Sequence, residues 1–262
     1  MRRSDMHKQW TAGESVRETY DAWAPVYDEF NRGYMFERWT GKLLEQAEAA
    51  GMGGKRLLDI ACGTGMSTIP MLDRGWTVTG CDISSGMLDI AREKIGEQAI
   101  LCEADMRELP DFGEFDLVWA INDPLNYLLD VEELKATFDG MRRNVAADGI
   151  VLFDINTLVT YRTFFSNEVV VDGEAGRLVW QGQLSPADVT AGTFAEARFD
   201  AEGDSQLSAV HRQRHFSEAE VLAALDAAGL DCVAQLGEKD GDLTPGVDES
   251  LHTKSVYLCR GR

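Results

Sequence analysis

The sequence predicts an α/β fold: a mostly parallel sheet with helices packed on it, an antiparallel β insertion and an N-terminal helical cap. Three observations predict it. Between residues 56 and 155, buried strand-like runs alternate with helical stretches, the pattern of β-α-β units. The first of these strands runs into a glycine turn, Cys62-Gly63-Thr64-Gly65, that opens a helix. Beyond Asn156 the alternation stops and short strand-like runs follow one another, as antiparallel hairpins do.

The elements follow in order. Residues 14–50 are helical in pattern: Tyr20, Trp23, Ala24 and Tyr27 recur at spacings of three and four and share a helix face. Arg32-Gly33 breaks this segment, a second helix starts near Met35, and Gly51-Met52-Gly53-Gly54 ends it. Strands are expected at 56–61, 76–82, 99–103, 115–121 and 149–155. The helices between them are about ten residues after the glycine turn, then 84–95 and 131–145. Short strands at 169–171, 178–184, 193–199 and 206–215, with turns at Asp172-Gly173 and Glu202-Gly203, make the insertion. A helix over 217–228 has Ser217 as N-cap and Glu220 at the capping-box position, and Gly229 closes it. Two last strands, 232–236 and 255–259, flank a polar loop over 237–253. The chain therefore divides into a cap (1–50), a ligand-binding sheet domain (51–157 and 217–262) and an acceptor-side lid (158–216).

Composition bounds the function. The 262 residues are 44% apolar, enough for one or two domains with a sizeable core. Against 45 acidic residues stand 25 basic ones, a net charge of −20. Nucleic acid and anionic membrane surfaces are disfavoured, because both are held by lysine and arginine. A neutral or cationic small molecule, an amine for example, is tolerated; solubility alone also explains the charge. No apolar run approaches the roughly 20 residues of a spanning helix, and the start, Met1 to Lys8, has no apolar stretch behind its basic residues. Five cysteines, Cys62, Cys81, Cys102, Cys232 and Cys259, contain no C-x-x-C pair. They read as reduced thiols in a cytoplasmic protein, not as a disulfide frame or a zinc site. The oligomeric state is left open, a homodimer included.

The chemistry concentrates in three places. In Leu57-Leu58-Asp59-Ile60-Ala61-Cys62-Gly63-Thr64-Gly65 the glycines let a ligand approach the backbone. A dinucleotide fingerprint would carry its third glycine at position 68, where this chain has Thr68, and Asp59 would repel a pyrophosphate. Asp82 ends the second strand 17 residues past Gly65, placed to accept both hydroxyls of a ribose. Ile83 and Met87 follow and can pack on a purine. Asp105 can accept from the adenine amino group, and Met106 offers its backbone amide to the ring.

The order D-x-A-C-G-T-G, then G-x-D-x-S-x-x-M, then A-D-M resembles the class I S-adenosylmethionine (SAM)-dependent methyltransferases. The resemblance covers roughly residues 55–157 and resumes at the final helix and strands. It implies a Rossmann-like seven-stranded sheet, mostly parallel with a reversed last strand. It also implies SAM as cofactor, with S-adenosylhomocysteine as product. Asp59, Ala61, Gly63 and Gly65 would line the methionine part, Asp82 the ribose, and Asp105 with Met106 the adenine. Tyr27 would close over the methionine moiety, and Ala120 at the end of the fourth strand completes the donor side. Within the superfamily the chain resembles small bacterial enzymes acting on low-molecular-weight acceptors, including amino-sugar N-methyltransferases. The outer motifs carrying this are Tyr20-Asp21, Tyr27-Asp28, Leu125-Asn126-Tyr127-Leu128 and Phe153-Asp154-Ile155-Asn156.

On the acceptor side, ligands are expected beyond the carboxyl ends of the strands. Tyr127 is the first candidate to contact the reacting centre. His211 shares a strand face with Gln213 and His215 and is a candidate base if that face is the pocket. Tyr20, Trp23, Tyr34, Asn126, Asp154 and Asn156 are candidate substrate contacts. Asn122-Asp123-Pro124 reads as a loop at the mouth of the donor site, and Arg212 and Arg214 as a solvated face. No metal-ligand cluster is visible. The leading reading is methyl transfer to an amine or hydroxyl of a small molecule by in-line displacement. The others are transfer to RNA or protein, a non-transferring regulator or pericyclase, and a nicotinamide dehydrogenase.

Overall fold

The computed structural model describes residues 15–174, 176–202 and 207–262. The start of the chain, read above for a leader, and the Glu202-Gly203 turn lie outside the described residues or at their edge. Helix α1 (Val16–Phe30) opens on a reciprocal cap: Ser15 Oγ accepts from the Glu18 amide while the Glu18 carboxylate accepts from the Ser15 amide. Helix α2 (Phe36–Ala49) follows.

The main sheet takes strands β1 (Arg56–Ile60), β2 (Thr77–Asp82), β3 (Ile100–Glu103), β4 (Phe115–Ala120) and β5 (Val145–Asn156) in parallel, in the order β3-β2-β1-β4-β5. Helices α3 (Thr68–Asp73), α4 (Ser85–Ile95) and α5 (Val131–Asn144) are the crossovers. After α6 (Leu158–Thr163) comes a separate four-stranded antiparallel sheet. It comprises β6 (Glu168–Gly173), β7 (Gly176–Gly182), β8 (Phe194–Glu202) and β9 (Leu207–Arg214). Helix α7 (Glu218–Ala227) leads back to β10 (Leu230–Lys239), β11 (Asp242–Pro245) and β12 (Lys254–Gly261). β12 is antiparallel to β5, the reversed strand expected.

The main sheet has eight strands, one more than expected. The segment read as a polar loop folds back: β10 runs on to Lys239 and pairs with β11 through Lys239↔Asp242. Asp240 and Gly241 between them have φ of 54° and 78°, which the tight hairpin turns require. The dipeptide is a hairpin signal, masked by the polarity of its flanks. Helix α3 is also shorter than expected. Gly75, at φ 76°, donates to the Leu72 carbonyl and Trp76 donates to that of Met71, a Schellman stop.

Two apolar layers sandwich the main sheet. One packs α5 and α7 residues (Leu134, Phe138, Met141, Val221) on Val118, Val151 and Phe153. The other packs α2 (Trp39, Leu43) and Met71 on Leu57, Trp119 and Leu152. A third cluster joins Trp23 and Val26 of α1 to Leu178, Trp180, Ala197 and Phe199 of the second sheet. The N-terminal helix is thus joined by burial to the insertion; α1 stands over the carboxyl ends of β1 and β2, and both meet the residues that follow β4. Among the described residues, no helix is long and apolar enough to cross a membrane.

Candidate active site

The site lies where the connections from β1 and β4 leave in opposite directions, the switch point at which open parallel sheets bind ligands. Its donor side is a cleft lined by Val16, Ala61, Gly63, Asp82, Ile83, Met87 and Met106, with Asp105 at its far end. Asp82 is held in place by backbone: its Oδ2 accepts from the Gly63 amide (2.8 Å) and its Oδ1 from the Ser84 amide (2.9 Å). Ser84, not Asp82, caps α4, through the Met87 amide. Burial pushes the Asp82 carboxyl up to about 6. A carboxylate so buried and so oriented, its other lone pairs facing a cleft, fits a ribose diol that would restore its solvation.

Gly63 and Gly65 do different work. A Cβ on Gly63 would stand in open space, although its φ is 55°. A Cβ on Gly65, at φ 83°, would meet Ile95 Cδ1 at 2.6 Å. Gly63 therefore leaves room for a ligand, whereas Gly65 lets the turn pack on α4. Ala61, which lines the cleft, is itself left-handed at φ 57°.

Several expected donor contacts lie behind the cleft wall instead. Asp59 is sealed beneath it: Oδ2 accepts from Ser67 Oγ (2.9 Å) and Thr68 Oγ1 (2.6 Å), and burial pushes the acid up to about 6. It ties the glycine turn to α3. Ala120 is fully buried in the sheet core, and its successors Ile121 and Asn122 line the cleft. Asp105 lines the far end of the cleft, and both its oxygens also accept from the Arg107 guanidinium. Burial raises the Asp105 carboxyl, and Arg107 more than offsets this, leaving it below its ordinary value.

Helix α1 closes over this side with polar contacts. Asp21 Oδ1 accepts from Ser84 Oγ (2.6 Å) and the Gly86 amide (2.9 Å) at the start of α4. Asp28 takes Thr64 Oγ1 and, at 2.6 Å, Lys94. These acids explain the repeated Tyr-Asp pairs of the helix: Tyr20 and Tyr27 line the cavity, while Asp21 holds the start of α4 and Asp28 the glycine turn.

The acceptor side is a cavity of about 300 Å³. The candidate contacts Tyr20, Trp23, Tyr34 and Asn156 line it, with Gln213 from the face that alternation marks; Phe30, Phe164, Trp180 and Lys254 join them without any signal in the sequence. Tyr20, Tyr27, Phe36, Asn122 and Tyr127 line both the donor cleft and this cavity. They form the doorway between the two.

Below the doorway is a polar network. Asn122 and Asp123, both left-handed at φ 67° and 58°, donate their amides to the two oxygens of buried Asp154 (2.8 and 2.7 Å). Lys254 Nζ bridges Asp123 (2.7 Å) and Asp154 (3.0 Å), and Gln213 Nε2 donates to Asp123 Oδ2 (2.7 Å). Burial works against the Lys254 charge, and the two acids more than offset it, so the ammonium is held above its ordinary range. Asp154 is fully buried and does not reach the cavity; it holds the strained Asn122-Asp123 turn. Asn126 is likewise structural, accepting from the Asn156 amide and donating to the Arg214 carbonyl.

His211, Gln213 and His215 do share a buried face. His211, however, is 0% exposed, behind the cavity wall, with Nδ1 2.9 Å from the Tyr127 hydroxyl. Burial pushes its imidazolium down to about 3. A base that resists protonation this strongly is a poor proton acceptor at neutral pH. Arg214 is not solvated either: it is paired with Glu220 and stacked on Phe216.

Comparison with protein families matches residues 57–149 to a methyltransferase domain. The chain is 30% identical over 202 residues to a putative methyltransferase of Geobacillus sp. (strain WCH70), covering 75% of this chain and 81% of that one. It is 28% identical over 215 residues to the dTDP-3-amino-3,4,6-trideoxy-alpha-D-glucopyranose N,N-dimethyltransferase of Streptomyces venezuelae, covering 79% and 89%. A SAM-dependent methyltransferase structure from Clostridium acetobutylicum ATCC 824 superposes with a TM-score of 0.75 at 22% identity, over 92% of this chain and 98% of that one. With the glycine turn, the acid that ends β2 and the reversed strand, these likenesses place the chain in the family of SAM-dependent methyltransferases.

Proposed function

We propose that this protein methylates the nitrogen of a small-molecule amine, in the substrate class of amino sugars. The observation that carries the reading is the doorway: the cleft that holds Asp82 and an aromatic cavity meet at Tyr20, Tyr27, Phe36, Asn122 and Tyr127. SAM supplies a methyl group activated by its sulfonium. The residues of this chain do the rest. Asp82 would take the ribose hydroxyls, Ile83, Met87 and Met106 the purine, and Ala61 and Gly63 the methionine part. The doorway aligns nucleophile and methyl carbon, and alignment is the main catalytic contribution when the donor carries its own leaving group.

Two features favour nitrogen. The cavity presents the rings of Tyr20, Trp23, Tyr27, Phe30, Phe164 and Trp180, whose faces attract a cation. Its polar wall presents Asp123 and Lys254, with Asp154 buried behind them, and the three together carry one excess negative formal charge. A hydroxyl acceptor would need a base to take its proton, whereas a neutral amine attacks without one. Burial keeps His211 from protonating, and it raises both Tyr20 and Tyr127 above the ordinary tyrosine range, so neither phenolate is available. The Streptomyces venezuelae relative, which covers most of the chain, is an amino-sugar N,N-dimethyltransferase. The cysteines of the described residues are all free, which supports a cytoplasmic setting.

Calorimetry with SAM against NAD and a labelled-methyl assay over amine, hydroxyl, peptide and RNA pools test the reading. Label is expected in amines, with binding of SAM only. Label confined to hydroxyls, peptide or RNA, or SAM binding with no transfer to any pool, would overturn it.

A further inference from the structure

The mechanism above leaves one buried group unused. His211 stands on β9 under α1, with Nδ1 on the Tyr127 hydroxyl and Nε2 buried without a hydrogen-bond partner. Around it are the rings of Trp23 (centroid distance 4.4 Å), Trp180 (5.0 Å) and Tyr20 (5.7 Å). A lone pair at Nε2 would meet no donor, whereas an N–H there has aromatic rings around it to point at, so the enclosure favours the N–H. A neutral imidazole carries one proton; with it on Nε2, Nδ1 is an acceptor and Tyr127 is the donor. The surroundings of Tyr127 agree. The Gln213 amide nitrogen donates to Asp123, and His211 Nδ1, 2.9 Å from the Tyr127 hydroxyl, is in place to take its hydrogen.

We propose that His211 is a positioning residue: by accepting the Tyr127 hydrogen bond it turns the hydrogen of that hydroxyl away from the doorway. The doorway then presents the lone pairs of the Tyr127 oxygen, which an acceptor engages by donating a hydrogen, as an amine N–H does. The hydrogen bond so offered holds the amine with its lone pair free for the methyl carbon. This rests on the amine reading above. It assigns His211 a role without proton transfer, so no protonated imidazole appears in the cycle. Tyr20 on α1 and Tyr127 after β4 are the titratable side chains facing His211; Trp23 and Trp180, its other ring neighbours, do not titrate.

Two measurements test it. In full-length protein labelled with ¹⁵N-histidine, the four histidines are sorted by loss of one signal set in His211→Phe. The expected pattern for His211 is a bare Nδ1, a protonated Nε2, and no titration from pH 5 to 9. A proton on Nδ1, or a titration in that interval, overturns the assignment whatever the substrate proves to be. In turnover with an amine acceptor, His211→Phe should lose about tenfold or more in kcat, the cost of one misdirected hydrogen bond, with SAM affinity unchanged. His211→Asn, which restores an acceptor near the place of Nδ1, should recover most of it with the acid limb of the pH profile unmoved. Wild-type turnover in His211→Phe, or a shifted limb in His211→Asn, rejects the positioning role while leaving N-methylation intact. Methylation of hydroxyls alone rejects N-methylation, and the ¹⁵N spectrum still decides the hydrogen-bond direction.

Discussion

The Gly63 amide donates to Asp82 Oδ2 at 2.8 Å, tying the glycine turn after β1 to the acid that ends β2. The two motifs are therefore one device. The turn orients the carboxylate, and the carboxylate holds the turn open for a ligand.

Removing the acid should cost donor binding before it costs the fold. Asp82→Ala is expected to weaken SAM by about 1–3 kcal/mol, the cost of ribose hydroxyls left unpaired. Calorimetric titration checks this; unchanged affinity would take Asp82 out of the site.

Acid should act in opposite directions on binding and stability. Asp82 and Asp59 are each raised to about 6 by burial, from 3.8. Raised acids bind more protons folded than unfolded, so their contribution to stability falls as pH rises from about 4 to 6. Their share of the ligand-free protein's stability should therefore be larger at pH 5 than at 7. Ribose hydroxyls favour the ionised Asp82, so SAM affinity should fall below about pH 6. Measuring Kd across pH 5–8 for the wild type and Asp82→Asn separates the two; an Asp82→Asn slope equal to wild type would assign the dependence elsewhere.

The two glycines of the turn should part company. Gly65→Ala combines a left-handed φ with the 2.6 Å approach to Ile95, and should lower unfolding free energy by about 2 kcal/mol or more. Gly63→Ala meets nothing and should cost only about 1–2 kcal/mol of backbone strain, while losing proportionally more SAM affinity because its methyl enters the cleft. Urea unfolding set beside SAM titration reads both; a reversed order would place the ligand against Gly65.

Lys254 is the sole cation on the two acids of the doorway network among the ion pairs of the described residues. Lys254→Met leaves Asp123 and Asp154 facing each other, and should destabilise by about 3–5 kcal/mol, as for a broken buried pair. Asp154→Asn in the same background should recover part of the loss. A neutral Lys254→Met would mean water screens the acids.

The donor side was legible from residues alone because its parts lie within β-α-β units. Strand, glycine turn and next strand's acid are joined by short connections, so spacing in the chain is spacing in space. Asp82, Ala61, Gly63, Ile83, Met87 and Met106 line the cleft for this reason. Spacing did not tell which acid faces the ligand and which braces the turn from below: Asp59 and Gly65 occupy motif positions yet point into packing. The acceptor side was decided by tertiary contact. Its walls come from α1, the turn after β4, the second sheet and the start of β12, segments that lie tens of residues apart in the chain and, from first to last, more than two hundred. No local pattern marks Trp180 or Lys254, because what makes each part of the site is the neighbour that burial brings to it. His211 shows the limit most plainly. Alternation put it on the right face of its strand, but only the closing of α1 over that face removed it from solvent and turned a candidate base into a buried hydrogen-bond partner.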